Sequence, residues 1–398
     1  MLTECNKKNL ESWFDKPLIL GVFFILIGLP LLQKPSHYQT IYYILTILPL
    51  ILSLAIRPEA ITSKISNITK IFIIFTAWSS LSVFWSDTQE ELTTPIIRSI
   101  YIFSLFISFS IISRTNEKII LNIFIASGVI VSLLSANELY NFIITYQPDN
   151  RFIGTGALSN PLLSSHIFGL FSVLFFALTV TIESNKTKII YLLLALIFLT
   201  AVISTGSRTP LLALITTAAW IALILKNKKS FIIITFSTLL LILIYIIYPE
   251  AITSRGFSYR PELWSLAIDK IMLKPMLGYG FDSSTKFYVA SLDTAFSEPH
   301  NIHLSILYFT GAIGFVLWCT MHAYALWICW RNKTDTLFII GSALLIYGIA
   351  AGMTEGGGLL PRPKEHWFIT WIPLAFISAL LTNKTINAKT KALSVHNT

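Results

Sequence analysis

Residues Glu298 to Trp330 read EPHNIHLSILYFTGAIGFVLWCTMHAYALWICW. Two histidines, His300 and His303, stand on either side of Asn301 and Ile302 at the mouth of a long apolar run that continues to Trp330. About 17–25 apolar residues suffice to cross a hydrocarbon core of roughly 30 Å as α-helix, so the stretch predicts a membrane span over 301–330. An imidazole at a membrane–water boundary is costly to bury and useful for proton transfer. The entrance of this span is therefore a candidate site.

Working outward, the same pattern recurs along the whole chain. Of its 398 residues 54% are hydrophobic and 12% charged, with a mean hydropathy of +0.70. Soluble domains carry roughly 25% charged residues, which excludes that class. The apolar runs predict an all-α polytopic membrane protein with about twelve transmembrane helices: 17–33, 39–56, 68–86, 97–113, 119–145, 162–182, 188–205, 208–225, 230–248, 301–330, 336–353 and 367–383. They form one integral membrane domain, 1–398. The first run has no small-residue cleavage site behind it and reads as a retained span.

The net charge of +9 does not indicate nucleic acid, because the cations sit in short loops between spans. Basic clusters mark every even-numbered exit: Arg57, Lys64 and Lys70; Arg114 and Lys118; Lys186 and Lys188; Lys226, Lys228 and Lys229; Arg331 and Lys333; Lys384, Lys389 and Lys391. The opposite loops include the acidic DTQEE (Asp87 to Glu91) and the turn TYQPDNRFIGTG at 145–156. By the positive-inside rule both termini are expected in the cytoplasm. The three cysteines, Cys5, Cys319 and Cys329, show no pairing pattern.

One long hydrophilic connection, 249–300, falls between spans 9 and 10 on the outer side. Within it, PELWSLAIDKIMLKP places Leu263, Trp264, Ala267, Ile268 and Ile271 at the spacing of an amphipathic interfacial helix. Gly278-Tyr279-Gly280 then breaks the pattern.

The outer face gathers titratable groups. If their segment is helical, His300 and His303 share a face; otherwise they serve as interfacial caps. Arg208, in STGSRTPLL, opens a span with Pro210 in its first turn. A guanidinium at a helix N-terminus is a ready phosphate site, although an arginine there can also simply snorkel to the interface. Arg260, in SYRPELW, likewise precedes a helix, with Arg255 five residues earlier. Lys274, Arg362 and Lys364 are weaker candidates. Asp269, Asp282, Asp293, Glu262 and Glu298 contain no D-x-D pair, so no metal site is expected. Arg98 and Glu138 near span ends are open between structural and binding roles, while His166 and His322 read as structural.

With these residues in view, the chain resembles the O-antigen ligase family, within the larger group that includes O-antigen polymerases and bacterial protein O-oligosaccharyltransferases. The group's motif is His, then Asn, Ser or Gln, nine residues, then G-x-x-G. His300-Asn301 followed by Gly311-Ala312-Ile313-Gly314 matches it without a gap. Ser207-Arg208-Thr209 resembles the family's diphosphate-contacting arginine segment. Arg260, Trp264 and Pro275-Met276-Leu277-Gly278-Tyr279-Gly280 resemble its R…W…A…P-x-x-G-x-G block. PRPKEHWFITWIPLA, at 361–375, has a look similar to ligases of enteric-type bacteria. The resemblance covers roughly the last half of the chain; the first five spans match only in being apolar.

The resemblance implies a C-type glycosyltransferase-like fold in the bacterial inner membrane, and inverting, metal-independent transfer without a cofactor. Its donor is a glycan on undecaprenyl diphosphate (lipid-linked O-antigen) and its acceptor a hydroxyl of lipid A–core, met among membrane lipids on the periplasmic face. His300 is then the expected base. Arg208 and Arg260 would stabilise the departing diphosphate, Asn301 and Arg255 would assist binding, and His303 would be a second-choice base or acceptor-sugar contact. An O-antigen polymerase shares these features, and the polymerase reading stays open. The absence of internal repeats and of charged residues at mid-span argues against a secondary transporter.

Overall fold

Long apolar runs become helices because a helix pairs every backbone N–H and C=O within its own segment, which a hydrocarbon surrounding requires. The computed structural model describes residues 4–56, 65–116, 118–147, 150–226, 259–284, 286–356 and 358–396. In chain order the helices are α1 (Glu4–Leu31), α2 (Pro35–Tyr42), α3 (Leu48–Ile56), α4 (Asn67–Leu81), α5 (Thr94–Thr115), α6 (Lys118–Ile144), α7 (Pro161–Thr181), α8 (Asn185–Ser204) and α9 (Arg208–Leu225). They continue with α10 (Arg260–Leu273), α11 (Ile302–Arg331), α12 (Thr336–Gly352), α13 (His366–Ile369) and α14 (Trp371–His396). A small antiparallel hairpin, β1 (Phe287–Val289) and β2 (Thr294–Phe296), lies between α10 and α11, with Phe287 opposite Phe296.

Among the described residues, eight helical segments are long and apolar enough to cross a membrane, and three shorter apolar helices accompany them. Together they coincide with eleven of the twelve expected runs. The remaining run, 230–248, lies outside the described residues. The amphipathic helix expected in the long connection is α10, whose buried residues are Leu263, Ala267 and Ile271.

Helix α7 is central: 78% of its apolar window is buried, against 22% for its neighbour α8. It packs on α8, α12 and α13, while α9 lies along α12, α5 along α14 and α4 along α11. Lipid tails are as apolar as leucine, so close packing and interhelical hydrogen bonds hold such helices together. Ser66 caps α4 through Thr69 N–H, and its Oγ lies 2.7 Å from Ser378 Oγ on α14. Thr69 Oγ1 meets the same hydroxyl at 2.8 Å. Asn383 Nδ2 donates to Ser113 O at 2.9 Å, tying α14 to α5.

The span expected as one helix over 301–330 is two helices meeting at Gly311, where φ is 64° and ψ is −171°. That region of backbone space is open essentially to glycine alone. The kink interrupts the helical ladder, and the Lys274–Gly280 loop repairs it. Tyr279 N–H donates to Tyr308 O at 2.9 Å, Gly280 N–H to Phe309 O at 2.8 Å, and Ala312 N–H to Pro275 O at 2.8 Å. Trp78 Nε1 donates to Thr310 O at 2.9 Å. Irregular backbone at such depth is tolerated where protein supplies the missing partners. Fit is close: a Cβ on Gly311 would lie 2.2 Å from Met276 O, and one on Gly278 2.6 Å from Gly311 N.

Candidate active site beside the kinked helix

The kink joint anchors the middle of the 259–300 segment, and polar ties hold the residues that follow it. Asp87, from the acidic DTQEE loop, accepts Ser283 Oγ at 2.6 Å, Ser284 N–H at 2.9 Å and Ser284 Oγ at 2.7 Å. These bonds, led by Ser283 and Ser284 hydroxyls, hold its carboxyl down at about 2. Ser86 Oγ donates to Phe281 O at 2.8 Å. Arg98 pairs with Glu90 at 2.9 Å, and its guanidinium carbon lies 5.5 Å from the Phe281 ring centre. The Arg98 left open by sequence thus has a structural partner.

His300 sits at the far end of this segment with φ +46°, one residue before the N-cap of α11. The condition for His300 and His303 to share a helical face is not met: His300 precedes the helix and His303 lies within it. The His300 ring stands edge-on to two aromatics, 5.3 Å from Phe296 and 6.4 Å from Tyr259. Those two stack on each other at 4.9 Å. Tyr259 is the N-cap of α10 and immediately precedes Arg260. The hairpin and the start of α10 therefore bring His300 and Arg260 to one place.

Asn301 is buried, and its Oδ1 accepts His303 N–H at 3.0 Å and Leu304 N–H at 3.1 Å. That oxygen is the cap of α11, as expected for an Asn at this position. His303 faces inward. Its Nδ1 accepts Trp318 Nε1–H at 3.1 Å, and its Nε2 lies 3.0 Å from Ile349 O, which can only accept. Both ring nitrogens are committed, so this imidazole is held as the Nε2–H tautomer within the packing. His322 contacts Trp318 O at 2.9 Å through Nδ1 and is likewise part of the core.

Arg260 Nε donates to Thr354 O at 3.1 Å, just past the end of α12. The next residue, Glu355, is buried between two imidazoles, 3.4 Å from His166 Nε2 and 3.7 Å from His366 Nε2. Burial alone would raise its carboxyl, but the bonds and charges of His166 and His366 outweigh it and hold it well below the usual range. Sequence reading took His166 as structural and missed this cluster, which joins residues 189 and 11 positions apart.

Arg208 is the first residue of α9. Its depth follows from packing: α9 ends beside the last turn of α11, just ahead of α12, with Lys226 Nζ 5.9 Å and the Trp220 ring 6.0 Å from Trp330. Trp220 Nε1 donates to Ser342 Oγ at 3.0 Å. From that bond the two antiparallel helices run side by side towards the same end, for about 18 Å to Arg208 and about 15 Å to Gly352 at 1.5 Å per residue. Arg208 therefore lies level with the end of α12, the same end of the bundle as Arg260 and His300. Arg255 lies outside the described residues. Among the described residues no group of three His, Cys, Asp or Glu side chains could hold a metal ion.

One arginine beside this site escaped the sequence reading. Arg151, in the turn counted as opposite in charge character to the basic loops, donates Nε–H to Thr205 O at 2.7 Å and Nη2–H to Ser207 Oγ at 2.9 Å. It thereby grips the turn that leads into Arg208.

The protein is thus a polytopic helical membrane protein with an imidazole and guanidinium groups gathered at one end of its bundle. Residues 193–319 match the family model described as O-Antigen ligase. Over 380 residues the chain is 35% identical to an O-antigen ligase of Pseudomonas aeruginosa, covering 94% of this chain and 92% of that relative. The chain belongs to the O-antigen ligase family.

Proposed function

We propose that this protein is an O-antigen ligase: a glycosyltransferase of about twelve spans, C-type glycosyltransferase-like in fold, in the bacterial inner membrane. Its termini lie in the cytoplasm and its site in the periplasm. It moves a glycan from undecaprenyl diphosphate to a hydroxyl of lipid A–core. The observation that carries this reading is the half-exposed His300 ring set against Tyr259, the residue that precedes Arg260, in a member of this family.

In the proposed step the imidazole of His300 takes the proton of the acceptor hydroxyl as its oxygen attacks the anomeric carbon. The bond from that carbon to the phosphate oxygen breaks, its electron pair stays on the diphosphate, and the configuration inverts. Arg208 and Arg260 neutralise the developing charge, an interaction stronger in the transition state than in the bound donor. Holding two lipid-anchored substrates in one plane removes much of the translational entropy of their encounter. Charge neutralisation by arginine makes the reaction independent of divalent ions. His303 and Asn301 act behind the site, the first through packing and the second by starting α11 so that His300 is held outside the helix.

The test is transfer in vitro with purified protein, lipid-linked glycan and rough lipopolysaccharide. Product forms with and without chelator, and Arg208→Ala and Arg260→Ala each lower the rate by about 10²- to 10³-fold. Undiminished transfer by both variants would remove the arginines from the mechanism, and loss of transfer with chelator would remove metal independence.

A further inference from the structure

The turn that presents Arg208 is held from outside. Three bonds reach it from one dipeptide of the 145–156 turn: Arg151 Nε–H to Thr205 O at 2.7 Å, Arg151 Nη2–H to Ser207 Oγ at 2.9 Å, and Phe152 N–H to Ser204 O at 2.9 Å. Gly206, at φ +61°, lies directly under the Arg151 side chain, whose Nε would be 3.5 Å from an added Cβ. The turn's own bonds are Gly206 N–H to Ile203 O at 2.9 Å and Ser207 N–H to Thr205 Oγ1 at 3.2 Å.

The Ser207 hydroxyl carries the argument. Serine at an N-cap ordinarily accepts from the second or third helical N–H. Here the third helical residue is Pro210, without an N–H, and Ser207 makes no side-chain cap bond to α9. Its oxygen accepts from Arg151 instead. A buried serine next to Arg208 is thus anchored to the neighbouring turn, and the helix it precedes begins from a braced position. Charge-assisted bonds from a planar guanidinium are the stronger and more directional kind. A lysine could replace the charge but not the two-point grip.

We propose that Arg151 is a positioning residue for Arg208: its bidentate hold on Thr205 and Ser207 sets the direction in which Arg208 meets the donor diphosphate. This rests on the ligase reading above, in which Arg208 touches the donor. Arg151 itself acts through the turn.

The experiment is a double-mutant cycle in the same transfer assay, with full-length protein and lipid-linked glycan as the varied substrate. Arg151→Ala and Arg151→Lys are measured alone and combined with Arg208→Lys, with thermal unfolding in detergent followed in parallel. A misplacement of the order of an ångström lowers kcat/KM by about 10- to 100-fold. Arg151→Ala is expected to show that loss against the donor, with KM for the acceptor unchanged, and Arg151→Lys to recover only part of it. In the Arg208→Lys background, removing Arg151 is expected to add little, because the group it positions is already altered. Full additivity of the two changes, or a loss shared by donor and acceptor that tracks the melting temperature, overturns the proposal. If Arg208→Ala abolishes transfer while Arg151→Ala and Arg151→Lys match wild type, the positioning role falls and the ligase reading stands. If Arg208→Ala is itself fully active, the failure lies in the earlier reading.

Discussion

His300 and His303 are three positions apart and differ in almost everything proton transfer depends on. His300 is held outside α11 at a positive φ, and among the described residues its side chain makes ring contacts to Phe296 and Tyr259. His303 is half-buried with both nitrogens bonded, to Trp318 and Ile349. Truncating His303 strands an indole N–H and a carbonyl in the interior, at about 1–3 kcal/mol. His303→Ala is therefore expected to lower the unfolding midpoint measurably in detergent, whereas His300→Ala leaves it at the wild-type value. Equal destabilisation by both variants would contradict the division of roles. The motif that holds His300 was legible in the sequence, including its spacing to Gly311. The roles within it were not, because a cap and a tautomer are set by backbone angles and by partners 15 and 46 positions away.

At the scale of elements, the kink is what links the two glycine-bearing motifs. The P-x-x-G-x-G loop supplies the backbone partners that the G-x-x-G helix lacks at Gly311. Hydropathy detects neither the break nor its repair, since apolar residues run on through both halves of α11. Gly311→Ala imposes both a clash with Met276 O and a forbidden φ, and several kcal/mol of destabilisation, about 2–4, is expected. Thermal unfolding and the yield of folded protein would register it; a wild-type melting curve would show that the joint is not strained. The Asp87 tether adds a pH dependence. Its folded carboxyl lies below its ordinary value of 3.8, at about 2. The tether is therefore at full strength above pH 3.8 and weakens as pH falls towards 2. Amide protection factors at Ser284 should fall across that window in wild type and show no such step in Asp87→Asn.

For the whole molecule, the spans were plain from composition but their arrangement was not. Helix α8 is more hydrophobic than α7, at 2.2 against 1.9, yet buries 22% of its window against 78%. In lipid the most apolar helix can face outward, so hydropathy does not rank helices by depth. The Arg208 and Arg260 sites were legible as guanidinium groups at helix starts. That they share one end of the bundle follows only from α9 lying antiparallel along α12. In the proposed orientation, drawn from the charge pattern, that end faces the periplasm. After replacement of the native cysteines, an impermeant thiol reagent applied to intact cells should label Asp269→Cys and spare Lys333→Cys. The reverse pattern would place the site in the cytoplasm and exclude the donor proposed here.

The most direct measurement of the central claim compares wild type and His300→Ala in cells that make both lipid-linked polymer and core lipopolysaccharide. The account predicts that His300→Ala abolishes glycan-capped lipopolysaccharide while undecaprenyl-linked polymer of normal length persists. Capped lipopolysaccharide at wild-type levels would contradict His300 as the base, and collapse of polymer length would identify a polymerase instead.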